Sequence, residues 1–131
     1  MLRRLKSKDL PNFKFFVLEH ALNNLKFKDL LNGKMLAFIS EENNIINGLL
    51  FVEKKDKSYL NVISSSKKIT NNLLKIFFWN WDKEVYSLIH EDNKIGFILK
   101  KNNFRIIGKT DKTFLLYYNP KEKRLKYGKH N

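Results

Sequence analysis

The sequence predicts an α/β (α+β) domain built on a twisted, mixed but mostly antiparallel sheet flanked by helices, with one parallel strand pair. Three observations predict it. Between residues 34 and 64, three apolar runs are joined by short polar turns, the pattern of an antiparallel meander. Apolar residues at helical spacing then follow before the next strand, so that strand arrives by a crossover and lies parallel to the last of the meander. Finally, the run from Asp92 to Asn119 reads as helix, strand, turn and antiparallel strand.

Each element has its own signal. Met1 to Lys6 (MLRRLK) alternates loosely and reads as a first strand. Ser7 is a good N-cap, Asp9 suits a first helical turn, and Pro11 is tolerated near a helix start. Phe13, Phe16, Val17, His20 and Ala21 follow at helical spacing. No partner acid or histidine accompanies His20, so it reads as a packed residue at the edge of the core. Lys26 to Leu31 continues or restarts the helix, and Asn32-Gly33 stops it.

Lys34 to Ser40, Ile45 to Glu53 and Ser58 to Ser64 are the meander strands. The turns between them are Glu41 to Asn44 and Lys54 to Lys57, and Gly48 marks a bulge. Ser64 to Thr70 (SSSKKIT) is a polar loop running into a helix. That helix buries Leu73, Leu74, Phe77, Phe78 and Trp81, and ends within Asn80 to Lys83. Glu84 to His90 (EVYSLIH) is the crossover strand. Ile95, Ile98 and Leu99 make the stripe of a short last helix, with Lys100 and Lys101 at its C-terminus and Asn102-Asn103 ending it. Phe104 to Ile107 and Thr113 to Tyr118 are the closing strands, with Gly108 to Lys112 as their turn. There is no internal repeat and no domain linker. We assign residues 1–119 to one domain and 120–131 to a basic tail.

Composition excludes several function classes. The chain has 131 residues, 43% of them hydrophobic, which supports a core and argues against disorder. It has no cysteine, so disulfide and thiolate chemistry are absent, and zinc would depend on three scattered histidines. No apolar stretch reaches membrane-spanning length, and Met1 to Lys8 lack a signal-peptide pattern. The expected compartment is the cytoplasm. The net charge of +13 attracts polyanions: nucleic acid, acidic membrane, or a phosphate-rich cofactor. The lysines are spread along the chain, and richness in Lys, Asn, Ile and Phe suggests an AT-rich genome. Codon bias is therefore a second source of the charge.

The element order resembles the GNAT N-acyltransferase fold over nearly the whole chain. RRLKSKDLPNF looks like that family's opening strand and helix start. The family commonly has an Asn after its fifth strand, then a helix carrying a Tyr and closing on Gly-Phe. With Phe104 in the place of that Phe, Asn103 replaces the Gly, Leu99 the Tyr, and Asp92 the Asn. The family's pyrophosphate loop, basic or Gln and then glycines, falls on Ser64 to Thr70, with Lys68 and Thr70 at the glycine places. Side chains there would obstruct the close approach that glycine permits.

The resemblance implies acetyl transfer from acetyl-CoA to an amine. It assigns the cofactor to Ile63, Ser65, Ser66, Lys67, Lys68, Thr70 and Asn71, and needs no metal. Leu99 cannot protonate a leaving thiolate, so the usual general acid is missing. Glu53, His90 and Tyr118 are the catalytic candidates, with Tyr59 and Tyr117 as further hydroxyls. Histidine, with an unperturbed pKa near ~6.5, is a residue type suited to proton abstraction from an amine, which singles out His90. The short length, Leu99 and the basic tail also resemble small GNAT-fold proteins of tailed bacteriophages, some of them internal virion proteins. Those have kept the scaffold without the chemistry, and their partners would be phage structural proteins in the particle. A nonspecific nucleic-acid binder using Trp79, Trp81 and the tail is a further reading, although these aromatics sit at core spacing and no RNA-binding motif is present.

Overall fold

A computed structural model describes residues 2–20, 26–31 and 36–122. Ala21, Asn32 to Lys34 and most of the tail, residues 123–131, lie outside that range. The strands are β1 (Leu2–Arg4), β2 (Leu36–Glu42), β3 (Ile45–Lys54), β4 (Ser58–Ser64), β5 (Val85–His90), β6 (Arg105–Lys109) and β7 (Thr113–Tyr118). The helices are α1 (Leu10–Glu19), α2 (Phe27–Leu31), α3 (Lys67–Asn80) and α4 (Ile95–Lys101), with a 3-10 turn at Ser7–Asp9. The strands form one sheet in the order β1-β2-β3-β4-β5-β7-β6. Every neighbouring pair is antiparallel except β4 and β5, which are parallel.

The elements follow their local chemistry, with four departures. Ser7 opens the 3-10 turn instead of capping a helix, and Asp9, the third residue of that turn, closes back on its start. The Asp9 carboxylate accepts the Lys6 amide N–H at 2.7 Å and takes both ends of the Arg3 guanidinium. The first meander turn tightens to Asn43-Asn44, both at positive φ (53° and 63°), the conformation a two-residue hairpin demands. The bulge falls at Asn47, beside the expected Gly48, because Ser40 faces Gly48 while Glu41 faces Ile46. Strand β6 begins at Arg105 and includes Gly108; Phe104 is freed to bury itself in the core.

Helices cover the sheet on two sides. Behind it, Leu73, Leu74 and Phe77 of α3 and Leu99 of α4 pack on Leu50, Val52, Leu60, Val85 and Leu116. Full burial of each such side chain contributes about 1.5–3 kcal/mol. In front, Phe13 and Phe16 of α1 and Leu30 of α2 cover Ile39, Leu49 and Phe51, with Ile63 at the margin. His20 is half-buried against the Phe16 ring, 4.3 Å between centroids, with its Nδ1 3.1 Å from the Phe16 carbonyl, a packed residue as expected. Gly48 lets α3 approach: a Cβ there would stand 2.6 Å from Ile69 Cγ2 and 2.9 Å from Leu73 Cδ1.

Candidate active site

The site begins where two strands stop pairing. The parallel register of β4 and β5 is confined to Tyr59 opposite Tyr86. One residue further, the buried Ser87 Oγ donates to the Leu60 carbonyl at 2.9 Å. Beyond that bond β4 leads into α3 and β5 leads into α4. At these ends of the two strands lies a cleft of about 670 Å³.

One wall of the cleft is Ser64 to Lys67 and Thr70; the other is Asp92 to Ile95 with Phe97, Ile98 and Lys101. The first wall is locked by its own hydrogen bonds. Ser66 Oγ accepts the Ile69 N–H at 3.2 Å, capping α3, and the Ser65 N–H reaches the bulged Asn47 carbonyl at 3.2 Å. The Ser64 and Thr70 hydroxyls meet each other and both lie against the Ser66 carbonyl, at 2.9 and 3.1 Å. The first amides of α3 have no partner within the helix, and its positive dipole end borders the cleft. Lys67, Lys94 and Lys101 add positive charge. An anion of phosphate type suits this wall.

The two side chains at the family's glycine places do not fill the cradle. Lys68 is exposed and is not part of the lining. Thr70 is 1% exposed, with its hydroxyl turned back to Ser66. Asn103 sits at φ 72°, the left-handed backbone that makes glycine common at that place. Leu99 is fully buried in the core, and the α4 side chains on the cleft wall are Ile95, Phe97, Ile98 and Lys101.

The predicted site residues divide into separate groups. Ser65, Ser66, Lys67 and Thr70 come together on the cleft, and Ser64 joins them. Ile63 turns its side chain to the front, against the α1–α2 core. Lys68 and Asn71 lie on α3 away from the lining. Tyr118 lies behind the sheet at 4% exposure, between the Phe78 and Phe104 rings at 4.9 and 5.2 Å. His90 stands at the far end of β5, where its Nδ1 accepts the Asp92 N–H at 3.2 Å. Glu53 is near the opposite end of the sheet, with the Lys55 ammonium at 3.3 Å. Glu53 and His90 are thus not brought together.

A feature that sequence reading missed is a lateral row across the front of the sheet. Glu53 faces Tyr59, Tyr59 faces Tyr86, Tyr86 faces Tyr117, and Tyr117 faces Arg105, across five strands. Paired residues share a face, so the tyrosines form a band, with centroids 6.0 Å apart for Tyr59–Tyr86 and 5.0 Å for Tyr86–Tyr117. The Tyr117 hydroxyl donates to Glu84 at 2.8 Å. Burial, then the Glu84 carboxylate, pushes its pKa above the ordinary phenol value. Arg105 bonds Glu122, raising the arginine and lowering the carboxyl. Each tyrosine was visible as an aromatic in a strand, but their alignment depends on non-local register.

Among the described residues no cluster of His, Asp or Glu could hold a metal, and no helix is long and apolar enough to cross a membrane.

No protein-family model matches the chain, and no curated protein matches it. Solved structures do. The acetyltransferase of GNAT family from Streptococcus pneumoniae is similar at a TM-score of 0.74 and 14% identity, over 90% of this chain and 97% of that one. The N-acetyltransferase from Staphylococcus aureus Mu50 reaches 0.72 at 16% identity, over 92% and 98%. The PaiA N-acetyltransferase of Thermoplasma acidophilum, solved in complex with coenzyme A, reaches 0.58 at 15% identity, over 91% and 98%. With the parallel β4–β5 pair, the split beyond Tyr59 and Tyr86 and the capped α3 beside it, these likenesses establish that the chain has the GNAT fold.

Proposed function

We propose that this protein is an acetyl-CoA-dependent N-acyltransferase that acts on a primary amine in the cytoplasm. The observation that carries the reading is the cleft itself. It joins the split between β4 and β5 to a capped, lysine-flanked helix N-terminus. Ser65, Ser66, Lys67 and Thr70 would hold the cofactor phosphates, with the backbone near Ile63 and the flank at Lys68 and Asn71 beside them. Bound acetyl-CoA supplies a thioester, whose carbonyl carbon the amine nitrogen attacks as the carbon–sulfur bond breaks.

The nitrogen must lose a proton and the departing sulfur must gain one. Glu53 is the preferred base: it is a carboxylate on the front face beside Tyr59, at the closed end of the split. His90 is the second choice, because its Nδ1 is already an acceptor for Asp92 and the neutral ring then carries its proton on Nε2. Tyr118, within the rear core, would need an opening of the sheet to reach the substrate.

One observation favours a second reading, a scaffold without catalysis. Leu99 buries a hydrocarbon where the family places its proton donor. On that reading the +13 charge serves nucleic acid or the proteins of a phage particle. Calorimetric titration with acetyl-CoA and desulfo-CoA, followed by thiol release on a panel of amines, separates the two. Saturable binding with turnover supports the enzyme. No binding at millimolar cofactor, or binding with no turnover on any amine, supports the scaffold.

A further inference from the structure

The front of the sheet describes an acceptor. Helices α1 and α2 cover the β1–β3 half, with Ile63 at their border. On the β5–β7–β6 half no described helix packs in front. Leu88 stands there at 60% exposure, directly opposite Leu115, one pleat beyond the Tyr86–Tyr117 pair. An exposed leucine beside an aromatic band, next to the split between β4 and β5, is an apolar floor leading to the place where the strands part.

The charged groups around this floor already have partners. Lys57 Nζ lies 4.6 Å from the Tyr86 ring centroid, and Arg105 Cζ lies 5.1 Å from that of Tyr117. Each holds the place over a ring that a ligand cation would take. The carboxylates are engaged too: Glu53 with Lys55, Glu84 with the Tyr117 hydroxyl, and Glu122 with Arg105 at 3.0 Å. Between these groups the surface open to a ligand is mainly aromatic and leucine, with His90 at its far edge. A polycationic amine would displace Lys57 or Arg105 and would also approach against the +13 field. An amine with an apolar body and a single nitrogen carries one positive charge, so it meets a smaller opposing field and leaves Lys57 and Arg105 in place.

We propose that Tyr59, Tyr86, Tyr117, Leu88 and Leu115 bind the apolar body of an arylalkyl or alkyl monoamine acceptor. Its nitrogen is directed to the split beyond the Tyr59–Tyr86 pair, and polyamines are discriminated against. This rests on the acyltransferase reading for its chemistry, but the binding surface is testable without it.

The test uses the full chain with methyl-labelled leucines, observed by NMR during separate titrations with phenethylamine and spermidine, with and without desulfo-CoA. Phenethylamine is expected to move the Leu88 and Leu115 methyls saturably, and added salt should not weaken it. Spermidine should leave them in place. In turnover with acetyl-CoA, kcat/KM for phenethylamine should exceed that for spermidine at least tenfold. Leu88→Asn should abolish the phenethylamine shift at Leu115 and that preference while leaving desulfo-CoA affinity unchanged. Leu88→Ala, which removes contact without adding a polar group, should weaken phenethylamine severalfold. Unmoved methyls at millimolar phenethylamine, or spermidine bound as well or better, would overturn the proposal. If cofactor binding fails while phenethylamine still shifts both leucines, the floor stands and the acyltransferase reading falls.

Discussion

Ser87 Oγ donates a hydrogen bond to the Leu60 carbonyl at 2.9 Å, in a position where Ser87 is 1% exposed. This bond lies one residue past the Tyr59–Tyr86 register and holds β5 to β4 just before they separate. A side chain thus takes over from the backbone ladder at the origin of the split. Ser87→Ala would leave a buried carbonyl without its donor, at a cost of about 1–3 kcal/mol. Urea unfolding should show that loss, and desulfo-CoA affinity should fall with it as the split loses its fixed origin. Unchanged affinity in a destabilised variant would mean that the bond supports the core alone.

Lys67 and Lys68 are adjacent, equal in charge and placed differently. Lys67 lines the cleft, whereas Lys68 is exposed and outside it. If the cradle takes phosphate by contact, Lys67→Glu should weaken acetyl-CoA binding at least severalfold more than Lys68→Glu. Calorimetry on the two variants at one ionic strength decides it. Equal losses would reduce the lysine contribution to general attraction.

The fit of α3 on the sheet is tightest at Gly48. Gly48→Ala places a methyl 2.6 Å from Ile69 Cγ2, so α3 must shift or the side chain must turn. Overpacking of this kind typically costs ~1–3 kcal/mol. The cost should shrink in the double variant with Ile69→Ala, which removes the clashing atom. Additive losses in the two singles and the double would show that the strain lies elsewhere.

Acid should unfold the N-terminal corner first. Arg3 holds Asp9 and Glu41 together, and both carboxyls sit below their ordinary pKa, chiefly through the hydrogen bonds from Arg3. Their folded values lie below the unfolded ones, roughly 3.9 and 4.3. The corner therefore stabilises the fold fully at neutral pH. That contribution declines as pH falls below the unfolded values and through the folded ones. Thermal unfolding of the wild type should lose ground steeply under pH 4 by this mechanism, on the order of the unfolded carboxyl range. Asp9→Asn should be less stable at pH 7 and have a shallower acid limb. An identical acid limb in that variant would assign the loss to other carboxyls.

How much was legible depends on the range of the interactions involved. Strand β4 matched its expected bounds because Lys54 to Lys57 and Ser64 to Ser66 punctuate it locally. Helix α3 declared itself through Leu73, Leu74 and Phe77 on one face and Ser66 at its cap. The parallel relation of β4 to β5 followed from chain connectivity alone. The tyrosine row did not, because it needs the register of four strand pairings at once. Tyr117 and Tyr118 illustrate the same limit: adjacent and chemically alike, they face opposite sides, and a continuous apolar run conceals which is which. The second wall of the cleft, Asp92 to Ile95, was read as a helix start and acquires its meaning from proximity to Ser66 across the split.

The missing proton donor leads to the last prediction. Leu99→Tyr places a phenol at a site that is 0% exposed, among Phe77, Leu116 and their neighbours. That substitution should cost about 1–3 kcal/mol through overpacking and yield no faster turnover, because the hydroxyl has no path to the cleft. Ile98 is the neighbour that lines the cleft wall from α4. Ile98 is 7% exposed and belongs to the same core cluster, so Ile98→Tyr carries a similar packing cost, but it should place a hydroxyl at the cleft wall, where a positioned acid typically contributes ~10²–10⁴-fold. We expect kcat at saturating acetyl-CoA to rise at least tenfold in Ile98→Tyr. The measurement is thiol release under saturating cofactor, with both variants checked for folding by near-ultraviolet circular dichroism. A rise in Leu99→Tyr instead would show that α4 rotates to present residue 99. No rise in either folded variant, with cofactor bound, would mean that protonation of the leaving sulfur does not limit the reaction.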